Sequence, residues 1–166
     1  MDMNIVIFNR VCKAIGSGAI TLGFAMLSGI HGLEGRRYVA YHDIAGILTV
    51  CDGHTGADII AGKRYSDKEC DALTQADIAH VANQIDRYIK VPATETERAA
   101  LYSFAYNVGV SATVHSTMLN KLNKKDYIGA CYEMKRWVYV DGRRWNGLVK
   151  RRDIESTVCL WGLHKS

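Results

Sequence analysis

Proline occurs once in the 166 residues, and no repeated or low-complexity tract is present. Collagen-like repetition, proline-rich spacers and disordered scaffolds are thereby excluded. A strong charge of one sign is also missing. Lys and Arg number 21 against 17 Asp and Glu, a net +4, a modest basic excess that suits an acidic polymer without selecting nucleic acid. Metal-ligand spacing is absent as well: Cys12, Cys51, Cys70, Cys131 and Cys159 contain no C-x-x-C pair, and His31, His42 and His54 have no partner at ligand spacing. Neither a metal nor a cofactor is expected. What remains is a globular chain, 48% hydrophobic, of the length of one ordinary domain.

Five cysteines without metal spacing read as disulfides plus one unpaired thiol, and two bridges among five cysteines allow fifteen pairings that the sequence leaves open. Disulfides need an oxidising compartment. The N-terminus supplies a route to one. From Ala14 to Leu33 there is no Lys, Arg, Asp or Glu, and twenty residues in one helix span about 30 Å, the thickness of a bilayer core. Arg10 and Lys13 precede the stretch, so the positive-inside rule places the rest of the chain outside the cytoplasm. The stretch is nevertheless poor in apolar content, being diluted by Gly16, Ser17, Gly18, Thr21, Gly23, Ser28, Gly29, His31 and Gly32. No A-x-A-like cleavage site follows Met26, which argues against a cleaved signal peptide. An anchor, a segment that enters lipid and later leaves, and a set of small residues for close helix packing remain open.

After Leu33 the pattern changes. Tyr38, Ala40, Ile44, Gly46, Leu48 and Val50 predict a small hairpin region. Ser66 with Glu69 and Thr94 with Glu97 form capping-box patterns. The first opens one long amphipathic helix running to Pro92, and the second a buried helix stopping at Gly109. Further helices are predicted at Ser116–Leu122, Asp126–Val138 and Asn146–Trp161. The expected architecture is α+β: a small β-hairpin region and a mainly helical lobe with a cleft between them, preceded by the weakly hydrophobic segment 1–33, with residues 34–166 as the catalytic domain.

The densest chemistry lies in Leu33–Thr55, LEGRRYVAYHDIAGILTVCDGHT. Glu34 and Asp43 stand nine positions apart, with Thr49 six further on. Paired carboxylates are what glycoside cleavage needs: one gives a proton to the leaving oxygen, and the other activates water or stabilises the sugar cation. Spacing alone is weak evidence in a chain with 17 acidic residues, where the bland reading is two surface carboxylates.

The whole pattern E-G-R-R-Y-x-A-Y-x-D-x-x-G-x-x-T-x-x-x-G-H-T resembles the catalytic segment of the phage muramidase endolysins, the lysozymes of T-even and lambdoid type. So do RAALYSFAYNVG from Arg98, STMLNKLN from Ser116, Trp137 and GLVKRRDIE from Gly147. The resemblance implies a lysozyme-like fold and hydrolysis of the β-1,4 bond between N-acetylmuramic acid and N-acetylglucosamine in peptidoglycan, ending in host lysis. It makes Glu34 the general acid, Asp43 the carboxylate that polarises the attacking water, Thr49 a hydroxyl that holds that water, and Asn107 a cleft residue that binds sugar amides. Glu34, beside Leu33 and Gly35, is expected against apolar surface with a raised pKa, and Asp43 in a polar turn is expected to stay ionised. Inversion is expected, with room for water between the carboxyls, roughly 6.5–9.5 Å. Two residues after Thr49, where many relatives have glycine, this chain has Cys51.

A weakly apolar N-terminus before such an enzyme is similar to the signal-arrest-release endolysins. That likeness implies transient association with the host inner membrane through residues 14–33, N-terminus inside and catalytic domain periplasmic, then release into the periplasm with activation. Exchange of Cys12 with a disulfide at Cys51 is a second possible control. A monomer acting on peptidoglycan is expected. Three rivals compete: a lytic transglycosylase, which cuts the same bond without needing Asp43; a nucleic-acid or membrane binder using Lys135, Arg136, Arg143, Arg144, Lys150, Arg151 and Arg152; and an inner-membrane structural protein. The basic run reads as a solvated face without a recognition module, so nucleic acid is not expected. His54 reads as structural.

Overall fold

The structure is a computed structural model and describes residues 2–162. Two helices, α1 (Met3–Ala14) and α2 (Ala19–Leu27), precede a three-stranded antiparallel sheet of β1 (Arg37–His42), β2 (Leu48–Cys51) and β3 (His54–Thr55), in that order. Helices α3 (Asp67–Asp86), α4 (Glu95–Val108), α5 (Val110–Val114), α6 (Thr117–Asn123) and α7 (Tyr127–Glu133) follow. A 3-10 turn (Met134–Arg136), a short hairpin of β4 (Tyr139–Val140) and β5 (Arg143–Arg144), and α8 (Asn146–Trp161) complete the chain. This is the expected α+β architecture.

Both capping boxes form as their sequences predict. Ser66 accepts the Glu69 N–H and Thr94 the Glu97 N–H, and each glutamate returns a bond to its cap. Helix α4 is buried along most of its length, from Thr96 and Glu97 through Ala99–Ala105, and forms the axis of the helical lobe. Its two sides meet different cores. Leu27, Ile78, Ile85, Phe104, Leu119 and Met134 fill one; Ile7, Val11, Leu22, Met26, Ala99, Ile154 and Val158 fill the other. Burial of each such side chain is worth about 1.5–3 kcal/mol, so α1 and α2 are integral to the packing of α4 and α8.

Four features differ from the sequence reading. The stretch 14–33 is not one helix: Gly16 and Gly18 take φ of 93° and 99°, a left-handed region that L side chains avoid, and the chain turns between α1 and α2. No helix among the described residues is long and apolar enough to cross a membrane. Helix α3 ends at Asp86 instead of reaching Pro92, because Asn123 draws the chain away: its Oδ1 accepts the Lys90 N–H at 2.7 Å and its Nδ2 donates to the Tyr88 carbonyl at 2.8 Å. The predicted helix 126–138 divides into α7 and the 3-10 turn, after which the Trp137 carbonyl accepts from Arg152 Nε at 3.0 Å. Helix α5 and the β4–β5 hairpin had no clear signal.

Candidate active site

A cleft of about 370 Å³ opens between the β-region and the helical lobe. It is lined by Leu33, Glu34, Ile44, Asn107, Val140, Trp145, Gly147, Leu148 and Arg151. Its walls come from distant parts of the chain: the loop after α2, the β1–β2 tip, the end of α4, the β4–β5 hairpin and the start of α8.

Glu34 does not lie against apolar surface alone, as its neighbours in sequence suggested. Arg151 Nη1 donates to Glu34 Oε1 at 2.6 Å, and the glutamate side chain is 18% exposed. Arg151 is itself buried, donating from Nε to Glu155 Oε1 at 2.9 Å and from Nη2 to the Ser103 carbonyl at 2.9 Å. Glu155 is fully buried and also accepts from Ser103 Oγ at 2.7 Å and Arg152 Nη1 at 2.7 Å. Burial works against the Arg151 charge, but Glu34 and Glu155 outweigh it and hold the guanidinium above its ordinary value. Glu155 and the two guanidiniums thus form a paired floor beneath the cleft, with the Glu34 carboxyl group bonded at its edge, the arrangement that buried charge requires. The Arg151 and Arg152 reading as a solvated basic face is corrected: they are 5% and 1% exposed, whereas Lys135, Arg136, Arg143, Arg144 and Lys150 are exposed. The signal for this was the i, i+4 and i, i+3 spacing of Arg151 and Arg152 to Glu155.

Asn107 lines the same cleft, with its Oδ1 taken by Arg152 Nη2, so its amide N–H₂ is the group left to donate. Asp43 forms the β1–β2 turn. Its Oδ1 accepts the Ala45 N–H at 2.8 Å and the Ile47 N–H at 2.9 Å, and Oδ2 has no protein donor among the described residues. Ile44, next to it, reaches the cleft lining. Thr49 lies on β2, 4% exposed, and its hydroxyl donates to the Ile47 carbonyl at 3.0 Å. Glu34 and Asn107 share the cleft wall, then, while Asp43 and Thr49 stand on the hairpin that forms its edge.

Cys51 is a disulfide cysteine. It is bonded to Cys70 on α3, and Cys131 is bonded to Cys159, leaving Cys12 unpaired and exposed on α1. Cys51 has φ of 57°, a left-handed backbone that glycine adopts freely and other residues rarely take. His54 is 8% exposed, with Nδ1 2.8 Å from Asp77 Oδ2 and Nε2 3.1 Å from Asp58 Oδ1. Burial lowers its pKa, but the two carboxylates prevail and raise it above the ordinary value. The pair joins β3 to α3, a structural role.

A family model described as phage lysozyme matches residues 31–155. A SAR-endolysin of Bacteriophage PS34 is 49% identical over 165 residues, covering 98% of this chain and 99% of that protein. Among solved structures, an endolysin from Escherichia coli O157:H7 phage FAHEc1 superposes with a TM-score of 0.74 at 30% identity, covering 83% of this chain and 90% of its own. The active form of the P1 phage endolysin Lyz gives a TM-score of 0.75 at 21% identity over 98% of this chain and 96% of that one. The latter is a likeness of fold, and it extends over the N-terminal helices.

Proposed function

The chain belongs to the phage lysozyme family, and on that premise we propose that it is the lysis enzyme of a phage, a lysozyme-type glycosidase that hydrolyses the β-1,4 bond between N-acetylmuramic acid and N-acetylglucosamine in peptidoglycan. The observation that carries this reading is Glu34: a carboxyl group on the wall of the cleft, bonded to the buried Arg151. In the proposed reaction Glu34 protonates the glycosidic oxygen as the bond breaks. Water attacks the sugar carbon from the opposite face, giving up its proton toward Asp43. Thr49 helps hold that water, and the Asn107 amide donates to a sugar acetamide. The Asp43 arrangement supports its part, because a carboxylate fixed by two backbone donors through one oxygen keeps the other for water.

The relatives named SAR-endolysin support a further reading. Residues 1–33 first hold the enzyme in the inner membrane, inactive, with residues 34–166 in the periplasm. The segment then leaves the bilayer and packs as α1 and α2. Small residues serve both states. They weaken the preference of 14–33 for lipid, and in the packed state Gly23 admits Ile78, whose Cδ1 lies 2.4 Å from where a Cβ would stand. The released protein acts as a monomer, and its unpaired Cys12 can exchange with the Cys51–Cys70 bridge.

Turnover of purified murein by full-length, membrane-free protein tests the site. Glu34→Gln should lower kcat by about 10³-fold or more, as a folded protein whose amide oxygen still accepts from Arg151, and Asp43→Asn by about 10²-fold with unchanged melting. Wild-type turnover in Glu34→Gln would sink the assignment.

A further inference from the structure

The loop that carries Glu34 leaves α2 at Ser28 and enters β1 at Arg37, and both of its ends are fastened to one side chain. Asp52, fully buried and next to the Cys51–Cys70 bridge, accepts the Gly29 N–H on Oδ1 at 3.0 Å. Arg36 Nε reaches the same oxygen at 3.1 Å, and Arg36 Nη2 reaches Oδ2 at 2.6 Å. The Thr74 hydroxyl on α3 donates to Oδ2 at 2.6 Å. Four donors fill the capacity of a carboxylate. The backbone carbonyl of Asp52 accepts from Tyr106 OH on α4 at 3.0 Å, and a Cβ on the following Gly53 would stand 3.5 Å from Glu34 Oε2.

Gly29 is five residues before Glu34 and Arg36 two residues after it. We propose that Asp52 is the positioning residue of this enzyme: by clamping both ends of the loop 29–36 it sets where the Glu34 backbone stands, and so whether the carboxyl meets Arg151 and the cleft. The proposal rests on the reading of Glu34 as the acid. It differs from that reading in locating control of Glu34 outside the cleft, at a group that touches neither the substrate nor Glu34 through a hydrogen bond.

The connections of the clamp give it a second consequence. Gly29 belongs to the N-terminal segment, and the residue before it, Ser28, is held by Arg10 of α1, which donates to the Ser28 carbonyl and hydroxyl at 2.6 Å each. Arg36 is further tied to Asp67 at 2.8 Å and Asp71 at 2.6 Å. With α2 elsewhere, Asp52 loses the Gly29 donor, and the loop also loses the bonds from the Leu33 N–H to the Met26 carbonyl at 2.9 Å and from the Glu34 N–H to the Leu27 carbonyl at 3.5 Å, which leaves Arg36 and Arg151 to hold it. Packing of α2 and placement of the acid are therefore coupled, and Asp52 is the side chain that ties the α2 end of the loop to its β1 end.

The test uses full-length, membrane-free protein with purified murein. Asp52→Asn keeps the volume and turns one acceptor oxygen into an N–H₂ that faces donors. It should lower kcat by about tenfold to a hundredfold with KM within about twofold. A double variant, Asp52→Asn with Arg36→Gln, also removes the guanidinium that has lost its buried partner, and it should recover melting temperature toward wild type while kcat stays low. A clamp that only stabilised the fold would let kcat return with the melting temperature, so that result overturns the proposal, as does wild-type kcat in Asp52→Asn. If Asp52→Asn does not fold, Arg36→Lys, which keeps the charge and loses the fork, decides the matter: lowered kcat at unchanged KM supports the clamp, and unchanged kcat overturns it. Glu34→Gln is run alongside. Turnover there refutes the Glu34 reading itself, whereas an inactive Glu34→Gln beside a fully active Asp52→Asn refutes the clamp alone.

Discussion

Two adjoining stretches of this chain behave in opposite ways. Residues 34–55 form the hairpin region that their sequence predicts: a turn closed by Asp43 and two strands paired from Arg37↔Cys51 to His42↔Leu48 with a register shift between Arg37 and Tyr41, pinned to α3 by the Cys51–Cys70 disulfide. Residues 14–33 have a sequence suited to a helix long enough for a bilayer, yet in this fold they form a turn, α2 and a loop, with Leu22, Met26 and Leu27 fully buried. The difference teaches that low charge and moderate apolarity do not choose between lipid and protein as a surrounding. The choice is made by partners: Ile78 against Gly23, Glu95 at the α1–α2 turn, and Asp52 at Gly29.

The sharpest way to break the comparison is Gly23→Leu. In the packed state the new side chain meets Ile78 and the Ala99 carbonyl, and overpacking of this kind costs about 3 kcal/mol. In a bilayer the same change adds apolar surface. We expect the melting temperature of the membrane-free protein to fall by about 6–12 °C and, in cell fractionation, a larger share of the chain to stay with membranes. Stable, fully released Gly23→Leu protein would show that α2 is not packed as described.

A smaller effect should come from Glu95→Ala. Glu95 accepts the Gly16 N–H at 2.6 Å and the Gly18 N–H at 3.0 Å, two donors that a continuous helix would pair internally. Glu95 therefore stabilises the turned form over the straight one. Its loss should cost about 1 kcal/mol, seen as about 2–4 °C in melting and as faster amide exchange at residues 16 and 18. Unchanged exchange there would remove Glu95 from the account.

The smallest expected effect lies in the stable stretch and concerns pH. His54 has its pKa raised in the fold by Asp77 and Asp58 against the opposing influence of burial. Its contribution is complete below the unfolded value of about 6.5 and is lost as pH rises through the folded value. Melting temperature should decline by roughly 1–2 °C on raising the pH across that window, and His54→Asn should flatten the slope. An equal slope in the variant would assign it to other groups.

What the sequence made legible follows from the range of the interactions concerned. The capping boxes at Ser66 and Thr94, the stop at Gly109 and the β1–β2 hairpin are local patterns, and each appears where its residues predict. The end of α3 was not legible, because it depends on Asn123, more than thirty positions away. Arg151 and Arg152 looked like surface charge because the acceptors that surround them include Glu34, Ser103, Asn107 and Trp137, all outside their own helix. At the site, the motif from Glu34 to Thr55 supplies a cleft residue and the hairpin at the cleft edge, but the ion pair between Glu34 and Arg151 was not legible in it. The two disulfides were anticipated in number and not in pairing, since pairing is a fact of tertiary distance.

The central claim is that a carboxyl group placed by the packed N-terminal segment drives hydrolysis, with water taking the sugar. Mass spectrometry of the fragments released from purified murein by the full-length, membrane-free protein reads this directly at the newly formed end group. The account predicts reducing N-acetylmuramic acid ends, absent from a Glu34→Gln digest. Ends bearing 1,6-anhydro rings, formed when the sugar's own hydroxyl replaces water, would contradict it and leave Asp43 without a part in the reaction.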